Sequence, residues 1–198
     1  VNANFVNIDS IARENGFENV DGIVFDLGVS NIHFLGDDRG FSFSDKEAPL
    51  DMRLNPDTQA VKASDLLNKL RGDQLKLMLG WNLAQEVVKA RAIKPFGKVG
   101  DLTALIGEKR FDKTHPATKA FLALRMAVNS ELENLREALP KALGLLRKGG
   151  VLAVVTFNSD EDRVVKNFRG GGKIILPSRE EVLHNPKARS AKLRVLIK

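Results

Sequence analysis

Two short apolar runs constrain the fold more than any other feature of the sequence. Residues 23–25 are Ile-Val-Phe and residues 151–155 are Val-Leu-Ala-Val-Val, so both runs are apolar at every position instead of at alternate positions. Strands that are buried on both faces of a parallel sheet have this pattern. The sequence therefore predicts an α/β protein with at least two buried parallel strands.

Polar residues follow both predicted strands. Asp26 ends the first run, and Thr156 and Asn158 follow the second. In open α/β sheets the ligand binds outside the carboxyl ends of the strands, and a crossover helix would place these two ends side by side. Asp26 and Asn158 are therefore candidate site residues. The alternative for Asp26 is a helix cap or a turn aspartate.

The rest of the chain reads mainly as helices. Residues 117–146 have apolar side chains at steps of three and four, which predicts one long amphipathic helix that would bend at Pro140. Residues 31–57 form a long loop whose phenylalanines are too apolar for a disordered linker, so we expect an ordered, functional loop. Shorter helices are predicted at 8–15, 63–70, 73–79, 82–93, 101–106 and 160–168, and two further strands at 173–176 and 192–197.

Composition and motifs exclude several classes of protein. The chain of 198 residues has no cysteine, so it has no disulfide, thiolate metal site or cysteine nucleophile, and a reducing cytoplasm is the expected location. No phosphate-binding P-loop motif or G-x-G-x-x-G motif occurs, and the three histidines lack metal-ligand spacing, so no metal is predicted. No apolar run is long enough to cross a membrane.

Charge is distributed unevenly along the chain. Residues 163–198 carry 10 basic and 2 acidic residues, whereas residues 1–57 carry 4 and 11. A basic end of this kind is typical of a nucleic-acid contact surface, and an ordinary solvated surface is the alternative. The candidate phosphate contacts, each of which could instead form an intramolecular pair, are Arg39, Arg53, Arg125, Arg163, Arg189 and Arg194.

Several strings, read together, carry a resemblance to a known family. They occur in one order over essentially the whole chain: Asp26-Leu27-Gly28-Val29-Ser30, Arg39-Gly40-Phe41-Ser42-Phe43, Pro49-Leu50-Asp51-Met52-Arg53, His115-Pro116-Ala117-Thr118, Val128-Asn129-Ser130-Glu131-Leu132-Glu133 and Asn185-Pro186-Lys187-Ala188-Arg189-Ser190. In this combination the chain resembles the MraW family of S-adenosylmethionine-dependent methyltransferases, which methylate N4 of a cytosine in small-subunit ribosomal RNA.

The resemblance implies a fold and a domain organisation. It implies a partial Rossmann-like S-adenosylmethionine-dependent methyltransferase fold, with a core formed by residues 1–35 and 117–198. Residues 36–116 are then a helical insertion that recognises the substrate. Residues 1–5 are expected to be the end of the third family strand, with the glycine-rich first strands missing, so the strand around residues 23–25 would be an open edge and a homodimer is possible.

The resemblance also implies roles for individual residues. Phe5 corresponds to a cofactor contact near the adenine, Asp26 to a contact at the cofactor and the reaction centre, and His33 to a family glutamine that also binds the cofactor. Asp26 and, second, Asn158 are the candidate acceptors for the N–H of the cytosine amine. The aromatic residues that could stack on the target base are Phe41, Phe43 and Trp81, with a core position as the alternative for each.

Some positions depart from the family pattern. Asn158 stands where the family has a histidine, and Gly80-Trp81-Asn82-Leu83 replaces a string with two glutamates. These departures keep a second function open, that of a non-catalytic RNA-binding or ribosome-assembly module that has lost cofactor binding. Salt-dependent RNA binding without cofactor affinity would favour it.

Overall fold

The computed structural model describes residues 1–29, 38–107 and 115–198, which form two compact units. The first unit consists of Val1–Gly28 and Glu131–Lys198, and the second consists of Val29–Ser130. We expected the insertion to end at residue 116. The second compact unit runs from residue 29 to residue 130, because the helix that starts at Ala117 packs its apolar face into the core of that unit.

The described residues contain nine α-helices and four strands. The helices are α1 (Ile8–Glu14), α2 (Ala63–Lys69), α3 (Gly72–Leu79), α4 (Trp81–Ile93), α5 (Val99–Ile106), α6 (Ala117–Val128), α7 (Glu131–Leu145), α8 (Ser159–Asn167) and α9 (Arg179–His184). The strands are β1 (Val20–Asp26), β2 (Leu146–Thr156), β3 (Lys173–Ile175) and β4 (Lys192–Ile197). The short helical segments of the insertion and all four strands therefore lie close to their predicted positions.

The first unit is built on a mixed sheet with the order β1-β2-β4-β3. β1 and β2 are parallel, as the two apolar runs predicted, whereas β4 pairs antiparallel with both β2 and β3. Regular pairing of β1 and β2 begins at Gly22 and Val151, after a register shift that accommodates residues 147–150. β1 is an edge strand of the described sheet, and Val24 is 70% exposed on it.

One apolar core holds the first unit together. Leu135, Leu139 and Leu143 of α7 pack with Leu152 and Val154 of β2. These three leucines repeat every four residues, so one face of the helix covers the sheet. Pro140 lies within α7 and does not end it.

The second unit has a separate core, into which the long loop is folded. Phe41, Leu50 and Met52 are buried there with the apolar faces of α2, α3, α5 and α6. Gly40 has φ 74°, and a Cβ at this position would lie 2.3 Å from the carbonyl oxygen of Pro49, so a side chain is excluded. The described part of the loop is therefore an ordered part of the core, as expected.

The predicted single helix over residues 117–146 is wrong. Two helices, α6 and α7, are separated at Asn129 and Ser130, and Ser130 has φ 49°. The buried Asn129 amide donates to the carbonyl oxygens of Met52 and Arg125 (both 2.8 Å), and its Oδ1 accepts from Leu54 N–H (2.9 Å). Apolar spacing continues across the break, so it does not reveal that a polar side chain stops the helix there.

The expected strand end at residues 1–5 is also wrong. Val1–Asn4 form no strand, and a 3₁₀ turn at Phe5–Asn7 leads into α1. The Asn4 side chain accepts a hydrogen bond from Val6 N–H and stabilises the turn. Among the described helices, none combines the length and apolar character that a membrane span requires.

Candidate active site

The carboxyl ends of β1 and β2 lie side by side, as the sequence predicted. Asp26, the last residue of β1, is paired in register with Val155, and Leu27 N–H donates to the carbonyl oxygen of Val155 (3.2 Å). The Asp26 side chain is exposed to solvent. An exposed carboxylate at this end of a parallel pair is available to a ligand.

A glycine and two phenyl rings extend this end of the sheet. Gly28 has φ 108°, and the position of its absent Cβ lies 3.9 Å from the Phe157 ring. Phe157 and Phe5 are both partly exposed, and the Phe5 ring lies 5.7 Å from the ring of Phe25. The site therefore combines aromatic surface with one carboxylate.

A buried glutamate holds the turn after β2. Glu161 is only 3% exposed, and its Oε2 accepts a hydrogen bond from Phe157 N–H (2.9 Å) and a longer one from Asn158 N–H (3.4 Å). We did not predict this residue as part of the site. The spacing of Asn158 and Glu161 is that of a capping box, which could have identified it.

Asn158 is the N-cap of α8. Its Oδ1 accepts hydrogen bonds from Asp160 N–H (3.0 Å) and Glu161 N–H (2.9 Å). A carbonyl oxygen has two lone pairs, and both are used by these donors. The geometry therefore gives Asn158 a capping role and not that of the open acceptor we expected.

Arg194 and Asp162 form a buried ion pair behind this turn. Arg194 Nε donates to Asp162 Oδ1 (2.6 Å), and Lys192 Nζ donates to Asp162 Oδ2 (2.9 Å). The hydrogen bond from Arg194 holds the pKa of Asp162 below its ordinary value, against the opposing effect of burial, and Lys192 lowers it further. The expectation of a phosphate contact at Arg194 is corrected, because a buried guanidinium that ties β4 to α8 cannot reach RNA.

Two predicted phosphate contacts in the second unit also have internal partners. Arg53 forms a two-point pair with Asp51 (2.7 and 2.8 Å) and donates to the carbonyl oxygens of Pro56 and Gln59. Burial raises the pKa of Asp51, but hydrogen bonds from the Arg53 side chain and backbone outweigh it, and the pKa is lowered. Arg39 donates to the carbonyl oxygen of Arg53 (2.7 Å). Both arginines therefore hold the loop, which corrects the expectation for them.

The remaining predicted residues differ in accessibility. Arg189 is exposed, Arg163 is exposed and pairs with Asp160 (2.9 Å), and Arg125 is half-buried. His33 lies outside the described residues.

The three candidate stacking residues differ in burial and packing. Phe41 is buried and Phe43 stacks on His115 with ring centroids 4.6 Å apart, so these two belong to the second unit's packing. Trp81 is exposed.

Comparison with known proteins gives one consistent result. The sequence model of the MraW methylase family matches residues 1–170. The chain is 41% identical over 214 residues to the ribosomal RNA small subunit methyltransferase H of Dictyoglomus thermophilum, a match that covers 98% of this chain and 71% of that protein. The enzymes of the same name from Coxiella burnetii and Coprothermobacter proteolyticus are 36% and 39% identical over the whole chain, which covers 76% and 73% of their lengths.

Proposed function

This chain belongs to the MraW methylase family, and from that premise we propose that it methylates small-subunit ribosomal RNA. The proposed reaction transfers the methyl group of S-adenosylmethionine to the N4 amine of a cytosine. The observation that carries this assignment is the exposed Asp26 carboxylate at the end of β1, directly beside the end of β2.

The residues at this end of the sheet fit the cofactor. When bound, S-adenosylmethionine supplies an activated methyl group on a positively charged sulfonium. Phe5 and Phe157 offer partly exposed rings for its adenine and its cationic part, and Asp26 offers a carboxylate. Gly28 allows close approach of a ligand to the backbone, because it has no Cβ, and the Phe157 ring lies 3.9 Å from the position that a Cβ would take.

Asp26 supplies the chemistry that the amine needs. The lone pair of a cytosine amine is delocalised into the ring, so the amine is a weak nucleophile. A carboxylate that accepts a hydrogen bond from the amine N–H raises its nucleophilicity and stabilises the positive charge that develops on nitrogen. Asn158 and Glu161 act indirectly, because their hydrogen bonds fix the turn that carries Phe157.

RNA contact would be shared by the basic end of the chain and the second unit. Arg163 and Arg189 are the exposed candidates for phosphate contacts, and the helical second unit is the proposed substrate-recognition unit. A cytoplasmic location fits a ribosomal substrate. The edge of the described sheet at β1 is the proposed surface for a homodimer.

The test is transfer of labelled methyl to unmethylated small ribosomal subunits by the chain and by Asp26→Asn. We expect the substitution to reduce transfer about a hundredfold or more, since it removes the charge but keeps the shape of the acceptor. Asp21→Asn is the matched control, because Asp21 is an exposed carboxylate at the opposite end of β1. It should leave transfer unchanged.

Two results would contradict the proposal. Equal transfer by the chain and by Asp26→Asn would remove Asp26 from the reaction. Salt-dependent binding to the subunits without any transfer would support the RNA-binding module instead.

A further inference from the structure

The second unit has an apolar cleft between α3 and α4, remote in sequence from Asp26. Its volume is about 510 Å³, within the usual range for ligand pockets. Trp81, Ala84 and Val88 of α4 line it, together with Lys76 of α3 and Lys89 of α4. Its lining is mainly apolar, and its charged residues are Lys76, Asp73 and Lys89, of which Lys89 is paired with Glu86.

Trp81 is held at this cleft in an exposed position. It is the first residue of α4 and follows Gly80, whose φ of 83° turns the chain sharply between the two helices. Trp81 is 56% exposed, although tryptophan is on average a largely buried residue. Lys76 Nζ lies 4.4 Å from the centre of the indole ring, so a cation and an aromatic face are presented together.

The charge around the cleft is complementary to a phosphate backbone. Residues 62–94, which contain α2, α3 and α4, carry seven lysines and arginines and three acidic residues. All three acidic residues are paired: Asp65 with Lys69, Asp73 with Arg71, and Glu86 with Lys89. The excess positive charge therefore lies on the same helices as the exposed indole.

We propose that this cleft binds one unstacked base of single-stranded RNA, with the base stacked on Trp81 and the adjacent phosphate contacted by Lys76. Surfaces that bind single-stranded nucleic acid combine an aromatic stacking platform with cations that follow the backbone. The inference rests on the proposed function in taking RNA as the ligand. It adds a second base-binding position, on a different unit from the one that carries Asp26.

The cleft provides its own spectroscopic probe. Trp81 is the single tryptophan of the chain, and the chain has no tyrosine, so its fluorescence reports on this site alone. The ligand for the test is a short oligouridylate, because uracil has no exocyclic amine and cannot be the methyl acceptor. We expect saturable quenching of Trp81 fluorescence that weakens with added salt.

Variants then separate stacking from general apolar contact. Binding of fluorescein-labelled oligouridylate, followed by anisotropy, should weaken about tenfold in Trp81→Leu and much less in Trp81→Phe. Lys76→Gln should reduce the slope of log affinity against log salt by about 0.7, the value for one phosphate of a single strand. Leu77→Ala is the control, because Leu77 is exposed on α3 but does not line the cleft, and it should bind normally.

The outcomes distinguish this inference from the proposed function. Absence of quenching, or equal binding by Trp81→Leu and the unchanged chain, would overturn the cleft as an RNA site even if methyl transfer is found. Quenching that depends on protein concentration without RNA, with loss in Leu77→Ala, would overturn it in favour of a contact between copies. Quenching of Trp81 fluorescence, with weaker binding by Trp81→Leu but no methyl transfer, would support the cleft as an RNA site and refute the proposed function.

Discussion

The structure gives Asn158 a structural role that can be separated from chemistry by two substitutions. Asn158→Ala removes the oxygen that caps α8, whereas Asn158→Ser replaces it with a hydroxyl that caps a helix about as well. Serine is preferable to aspartate at this position, because an aspartate would add a negative charge next to Asp160, Glu161 and Asp162 in the first turn of α8.

The magnitude follows from the hydrogen bonds that are lost. In Asn158→Ala two backbone N–H groups, of Asp160 and Glu161, lose their acceptor in a half-buried position. Loss of an N-cap costs about 1 kcal/mol, with a range of about 0.5–2. For a chain of this length about 1 kcal/mol corresponds to a fall in Tm of about 2–4 °C. In Asn158→Ser we expect a change close to zero.

Urea unfolding followed by circular dichroism measures the stability, and labelled methyl transfer measures the activity of the same samples. If Asn158 acts as a cap, Asn158→Ser should keep both stability and transfer. Equal stability of the alanine and serine variants would refute the capping argument. Full stability of Asn158→Ser with transfer reduced a hundredfold would show instead that the amide takes part in the reaction.

Three further predictions concern other parts of the molecule. A hydrogen bond from Lys94 lowers the pKa of Asp101 to about 2, against the opposing effect of burial and with the help of backbone N–H groups. The contribution of Asp101 to the free energy of unfolding is therefore present above about pH 4 and is lost as the pH falls towards 2. In Asp101→Asn the free energy of unfolding should fall less steeply over that pH interval. Arg194→Met leaves the buried Asp162 with one cation fewer and should lower the free energy of unfolding by about 3 kcal/mol in urea titrations. Val24→Lys places a charge on the edge of the described sheet at β1 and should reduce self-association in sedimentation experiments.

Each of these predictions has a result that would contradict it. For Asp101, parallel pH profiles of the variant and the unchanged chain would show that the lowered pKa is not linked to folding. For Arg194, the control is Arg163→Met, whose partner is exposed and whose loss should be nearly neutral; equal effects would refute the buried pair. For Val24, unchanged association would place any contact between copies elsewhere on the surface.

The sheet and the position of Asp26 were predictable because they depend on local patterns. A continuous apolar run that ends in a carboxylate identified the strand and its ligand-facing end. The expected burial on both faces was wrong for β1, because it is an edge strand in which only Phe25 is buried. The same reasoning failed for α6 and α7, where the helix break depends on hydrogen bonds between Asn129 and loop residues more than seventy positions earlier. Apolar spacing contains no information about such distant partners.

The functional roles of the charged and aromatic residues were predictable only in part. The positive charge of Arg53 and Arg194 suggested RNA contacts, but both guanidinium groups are occupied by carboxylates. Net charge does not reveal which cations are already paired. For Trp81 the sequence could not decide between a buried and an exposed indole, and the structure has it exposed at the first position of α4.

The interruption of the first unit by the second has a consequence for synthesis of the chain. β1 leaves the ribosome well over a hundred residues before β2, its parallel partner, so at about 5–20 residues per second it waits roughly ten seconds for that partner. The second unit is one continuous segment and can fold during that interval. Once it has folded, less flexible chain separates β1 from β2, so less conformational entropy is lost when the two strands pair. Folding of the second unit first would therefore favour pairing of the strand that carries Asp26, before any substrate is present.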